Sequence, residues 1–189
     1  SPWKPYESRR TGGTHRGYWD YEGGGMCDMG QHHFDPEQWT YAKDYTSAVE
    51  ITPFAPPAHP EVTGMWAWVE LKYADGFRFV MESTEWGPKY DQAPIRDVSM
   101  NDLSPEDQEK IKAMPDPEPL LSFGEAVKQR KKAGGHAEAA HRAACILHLA
   151  NLAIRLGRKL NYDPDKEVFV NDEEANRFLH PPMSAPWRL

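Results

Sequence analysis

Cysteine is scarce in this chain of 189 residues: there are two, Cys27 and Cys145, neither in a Cys-x-x-Cys pair. That excludes a disulfide framework and leaves no thiol motif of the zinc or redox kind, so both are expected as buried structural thiols. No apolar run approaches the roughly 18 residues of a membrane span, and no signal peptide opens the sequence. A soluble protein is expected, cytoplasmic or periplasmic. Positive charge is short as well. Lys and Arg number 22 against 29 Asp and Glu, a net charge of −7, and no basic cluster occurs beyond Lys128 to Lys132. Nucleic-acid and anionic-membrane surfaces are set aside on that ground. The first residue is Ser1 rather than Met, and the opening run to Arg10 has neither strand alternation nor helix periodicity. The chain is expected to be a piece of a longer protein.

Proline is plentiful. Its 17 residues gather at 53–60, 88–94, 115–119 and 181–186, about twice the ordinary ~5% usage, which predicts long irregular connections. With 39% hydrophobic and 12% aromatic residues, a chain of this size can hide roughly 70% of its unfolded surface. One domain over 1–189 is expected.

Met26, Met29, His33 and Phe34 share one face at helical spacing. Pro36 predicts either a kink or a restart capped by Asp35, with Gln38 closing a capping box. Residues 47–52 alternate around Val49 and Ile51. Residues 63–73 place Met65, Ala67, Val69, Leu71 and Tyr73 on one face and Trp66, Trp68, Glu70 and Lys72 on the other. Asp75-Gly76 predicts a two-residue hairpin with positive φ at both positions, leading into a strand over 77–83. Residues 85–121 read as an irregular excursion holding one short helix capped by Ser104 with Pro105 at its first position.

The last third is helical over about 122–132 and 137–158. The long helix carries a stripe of Ala140, Ala144, Leu147, Asn151 and Ile154. A short strand at 168–170 precedes a helix capped by Asn171 with Glu174. The order predicts an α+β fold: an open, mainly antiparallel sheet with helices on one face.

The densest functional cluster is His15 to Asp35. Asp28 and His32 stand i and i+4 on a helix, so the carboxylate lies one turn from the imidazole, a usable acid/base pair. Gly30, between them, suggests a close approach. Gly23, Gly24 and Gly25 allow a ligand near free backbone N–H groups, and His15, Arg16 and Trp19 can offer hydrogen bonds and an aromatic platform to a polyhydroxylated ligand. The glycines do not form a nucleotide fingerprint: Gly23 to Asp28 fails G-x-G-x-x-G at position 28, and Gly12 to Gly17 is followed by Tyr18 and Trp19 instead of Lys and Ser or Thr. A metal set drawn from His15, Asp28, His32, His33 and Asp35 is weak, because His32 and His33 point about 100° apart on a helix. No metal is assigned. His141 and His148 read as packed, hydrogen-bonded residues.

The run Glu22-Gly23-Gly24-Gly25-Met26-Cys27-Asp28-Met29-Gly30-Gln31-His32-His33-Phe34-Asp35 resembles the second domain of the glucose-fructose oxidoreductase / inositol dehydrogenase (Gfo/Idh/MocA) family, where G-G-G-x-x-x-D-x-G-x-H-x-x-D opens the active-site helix, with Glu22 standing at the first glycine position and the other fixed positions matched. The ending, His141-Arg142-Ala143-Ala144 through Arg155-Leu156-Gly157-Arg158, then Asn171 to Asn176 and Ala185-Pro186-Trp187-Arg188-Leu189, is similar to that of bacterial members. The resemblance implies a substrate-binding and oligomerising C-terminal domain, with NAD or NADP held by an N-terminal Rossmann domain absent from this chain. It implies His32 as acid/base toward a sugar or polyol hydroxyl, with Asp28 orienting His32 or binding the adjacent hydroxyl; His15, Arg16, Trp19 and Gly25 are expected as substrate contacts from their proximity and composition. The family's catalytic lysine comes from a Glu-Lys-Pro stretch that this chain lacks, so no redox turnover is expected from it alone. It further implies a homo-oligomer through the open sheet face, where Trp66 and Trp68 are expected. The alternatives are a non-catalytic carbohydrate-binding or oligomerisation module of the same fold and, weakest, a metal-dependent sugar-modifying enzyme.

Overall fold

Alternating burial along three short segments builds the centre of the protein. The computed structural model describes residues 4–91, 99–115, 119–180, 183 and 186, in two units: Ser1–Lys89 with Ala137–Leu189, and Tyr90–His136. In the first unit β1 (Glu50–Phe54), β2 (Trp68–Lys72), β3 (Arg78–Glu82), β4 (Leu160–Asp163) and β5 (Val168–Phe169) form one sheet in the order β3-β2-β1-β4-β5. Every pairing is antiparallel, so this is the open α+β sheet that the sequence predicts.

Register keeps the apolar residues on one face. Ile51 lies opposite Leu71 and Leu160, Val69 opposite Met81, and Leu71 opposite Phe79, and all six are buried. Residues opposite each other across a ladder share a face, so these pairs stack into a continuous apolar floor. Onto it packs α5 (Ala137–Leu156) across β1 and β2, with α1 (Gly24–Asp28) and α2 (Gly30–Thr40) against α5. The face of α5 turned inward carries Ala143, Ile146, Leu147, Ala150, Ala153 and Ile154. The expected stripe is correct at Leu147, Asn151 and Ile154, but Ala140 is exposed. The helix ends at Gly157, whose φ of +64° suits the left-handed position after a last turn.

Several local expectations are corrected. The turn after β2 has three residues: Gly76 N donates to Tyr73 O and Tyr73 N to Phe77 O, and only Gly76 takes positive φ, at +88°. This is a type I turn closed by a glycine bulge, with the Asp75 side chain accepting from Phe77 N at 3.0 Å. Pro36 neither restarts nor ends its helix. It lies inside α2, and the interruption falls instead at Met29, between α1 and α2. Met65 is exposed because regular pairing begins only at Trp68, and Trp66 packs against the core instead of standing on the open face. The cap of α6 (Glu173–Asn176) is Asp172, accepting from Ala175 N, while Asn171 takes a φ of +53°.

The second unit holds α3 (Pro105–Lys112) and α4 (Phe123–Gln129). The Ser104 hydroxyl accepts from Asp107 N, and Ser122 with Glu125 forms a capping box. Residues 92–98 and 116–118 of the expected excursion, and 185 and 187–189 of the family-like ending, lie outside the described residues.

Candidate active site

Three consecutive glycines open α1, and the structure gives each a different reason to be there. A β-carbon on Gly23 would collide with the Asn151 amide and Cys27 Sγ. Gly24 takes a φ of +67° and would place a β-carbon 2.6 Å from Thr63 Oγ1. Gly25 meets nothing, is exposed, and leaves open space beside the helix. Gly30 is buried under the Phe34 ring, 3.2 Å from where its β-carbon would be, and Phe34 itself sits edge-on to Phe79 at 5.6 Å. The approach expected at Gly30 is therefore made by this phenyl ring.

The segment before the glycines is clipped to the loop ahead of β2. Thr63 N donates to Gly17 O at 2.9 Å, Trp19 N donates to Glu61 O at 3.1 Å, and Tyr18 bridges Val62. A 3-10 turn over Gly12–Gly17 carries His15 and Arg16. His15 Nδ1 pairs with Gly12 O within that turn. Arg16 reaches α1, donating from Nη1 to Asp28 Oδ2 at 2.5 Å, with its Nε 3.9 Å from Glu22. The Trp19 indole N–H donates to His59 O at 2.9 Å, and the Arg155 guanidinium lies 5.4 Å from its ring centre.

Of the expected site residues, the structure joins Arg16 with Asp28. It does not join Asp28 with His32: the carboxylate is held by Arg16, and the exposed His32 side chain makes no hydrogen bond to a described residue. Pro36 lies four residues after His32 and has no N–H to donate, so the His32 carbonyl lacks its ordinary helical partner. His32 is thus exposed one turn from Asp28 of the Arg16–Asp28 pair. The Trp19 indole N–H and His15 Nδ1 are engaged within the protein, Trp19 serving as a packing platform.

Asn151 was legible only as part of an apolar stripe, yet it ties the site to the core. From α5 its Nδ2 donates to Gly23 O at 2.8 Å and to Cys27 Sγ at 2.9 Å. Its appearance in an otherwise apolar face is the signal that could have singled it out. Burial pushes the Cys27 thiol up to about 11, so it stays protonated near neutrality. His148 Nδ1 lies 3.9 Å from the same sulfur, and burial lowers that imidazole below its usual range.

No curated protein and no solved structure matches the chain. A family model does, and over its whole length. Residues 1–189 fit the Gfo/Idh/MocA model described as "Oxidoreductase family, C-terminal alpha/beta domain", and the open antiparallel sheet with helices described above is consistent with it. The chain belongs to the Gfo/Idh/MocA oxidoreductase family, as a C-terminal α/β domain.

Proposed function

We propose that this domain is the substrate-binding half of an NAD(P)-dependent oxidoreductase that acts on a hydroxyl of a sugar, sugar derivative or polyol. The observation that carries the reading is the exposed His32, whose side chain has no hydrogen-bond partner among the described residues, on the helix that follows the one where Gly25 leaves open space. An imidazole so placed can accept the proton of a substrate hydroxyl as the hydride leaves the carbon, and return it in the reverse direction. Arg16 orients Asp28 and shares its charge, leaving the other lone pairs of the carboxylate to accept a second substrate hydroxyl. The nicotinamide cofactor, NAD or NADP, belongs to the Rossmann domain with which the family pairs this one; that partner domain also supplies the catalytic lysine.

The test is His32→Asn in the complete two-domain enzyme. The expected outcome is a loss of about 10²- to 10⁴-fold in turnover, the usual scale of general acid–base help, with the melting temperature unchanged. Full retained activity removes His32 from the mechanism. The capture of Asp28 by Arg16 favours a second reading, a carbohydrate-binding module without catalysis. Under that reading this chain binds a polyol in calorimetry, yet no hydride transfer appears with the nucleotide domain supplied.

A further inference from the structure

A second group of side chains with metal-ligand chemistry lies on the same long helix, among residues that the reading above does not use. His141 and Cys145 stand i and i+4 on α5, so imidazole and thiol share one face. Glu167 meets them from the turn between β4 and β5. That turn is fixed by Asp163 Oδ1, which accepts from Asp165 N at 3.1 Å and from Lys166 N at 3.0 Å. One ligand atom from each of His141, Cys145 and Glu167 lies within 4.8 Å of the others.

We propose that His141, Cys145 and Glu167 form a binding site for one divalent cation of the zinc type. A soft thiolate, an imidazole and a carboxylate together suit Zn²⁺ better than Ca²⁺ or Mg²⁺, which take oxygen. The spacing agrees. Metal–sulfur and metal–nitrogen bonds of ordinary length at a tetrahedral angle set the two ligand atoms about 3.6 Å apart, and His141 Nε2 is 3.5 Å from Cys145 Sγ. His141 Nε2 and Glu167 Oε1 share a proton at 2.6 Å. The ion takes the place of that proton, the neutral ring then carrying its one proton on Nδ1 so that the imidazole releases none, and the exposed imidazole swings outward by under ~1 Å to reach metal-ligand spacing.

Charge agrees too. Arg142 lies 3.2 Å from Glu167 and 2.9 Å from Glu138, and donates to Pro164 O at 3.0 Å. With the thiolate formed, the two carboxylates and this guanidinium leave the cluster two negative charges, which a dication neutralises. Burial and the Glu167 carboxylate hold the Cys145 thiol above its ordinary range. Binding therefore forms the sulfur–metal bond and releases the thiol proton to solvent, with no change of oxidation state.

The test uses the purified chain, stripped with a chelator and titrated with Co²⁺ as a coloured substitute for Zn²⁺. One Co²⁺ per chain is expected, with thiolate-to-cobalt charge-transfer absorption that Zn²⁺ abolishes by displacement. Cys145→Ser is expected to remove the absorption and weaken binding at least about 100-fold, beyond the 10- to 100-fold typical of residues that only support a ligand. Cys27→Ser is expected to leave both unchanged. Should Cys145→Ser fail to fold, His141→Gln at its exposed position serves instead, and an equal loss of affinity supports the site. Absorption that is missing, that survives Cys145→Ser, or that disappears in Cys27→Ser overturns the proposal, as does unchanged affinity in His141→Gln.

Discussion

Gly24 and Gly25 look alike in the sequence and separate completely in the fold. Gly24 occupies a left-handed conformation against Thr63, whereas a side chain at Gly25 would project into open space. Gly24→Ala is expected to cost at least about 1 kcal/mol, since alanine pays for positive φ and for the collision. Gly25→Ala is expected to stay within about 0.5 kcal/mol of the parent while weakening polyol binding. Urea unfolding and calorimetry of the pair separate the glycine that the fold needs from the one kept clear for a ligand. Asn151 follows the same logic in reverse. Asn151→Ala leaves the Gly23 carbonyl without its donor in a half-buried turn, an expected cost of about 1–3 kcal/mol, read as a lower urea midpoint with unchanged slope. Spacing alone marked Asp28 and His32, but spacing cannot say that Arg16, sixteen residues before His32, takes the carboxylate.

Among the elements, α2 shows what a local rule leaves undecided. A proline inside a helix removes one hydrogen bond and crowds the preceding turn, which predicts a kink or a restart at position 36. The break lies instead at Met29, and the helix continues through Pro36, with buried Gln38 accepting from the Tyr73 hydroxyl at 2.6 Å. Tertiary anchoring beyond the proline holds the later turn in place.

At α6 the cap is also a charge device. Asp172 accepts from Ala175 N and pairs with Arg158, which holds its carboxyl below the ordinary range, and Glu174 joins the same guanidinium at 2.9 Å. A carboxyl with a depressed folded pKa contributes stability that is fully present above the unfolded value, near 4, and is lost as pH falls through the folded one. The melting temperature is therefore expected to drop between roughly pH 5 and pH 2. Arg158→Met should flatten that acid limb while leaving its other contributors, such as the Lys43-held Asp75, in place. An acid limb of the same depth in the variant would assign it elsewhere.

At the scale of the whole molecule, the helices of the first unit, α5 with α1 and α2 against it, cover one face of the sheet, and the open face is the other. On that open face Phe54 stacks on Trp68 at 5.2 Å and meets Trp86 at 5.6 Å, and at the opposite end of the same strand Glu50 is paired with Lys72 and Lys159. An aromatic group rimmed by ion pairs is the usual composition of an interface. We therefore expect a homo-oligomer through this face. Sedimentation at micromolar concentration should show it, Phe54→Glu should shift it toward monomer, and a monomer at high concentration would remove the face from the assembly.

The α+β class and the alternation of Val69, Leu71 and Tyr73 followed from the sequence, because periods of 2 and 3.6 are local properties that burial reads directly. So did the capped helix at Ser104, the existence of a helix after Ser122, and the glycine-led helix that carries the family resemblance. Other features depended on residues far apart in the chain: which glycine stays open, which residue holds Asp28, the insertion of Asn151 under the turn, and the meeting of Glu167 with His141 and Cys145. Such contacts arise only when α5 settles on the sheet and brings these segments together, and no local pattern encodes that packing.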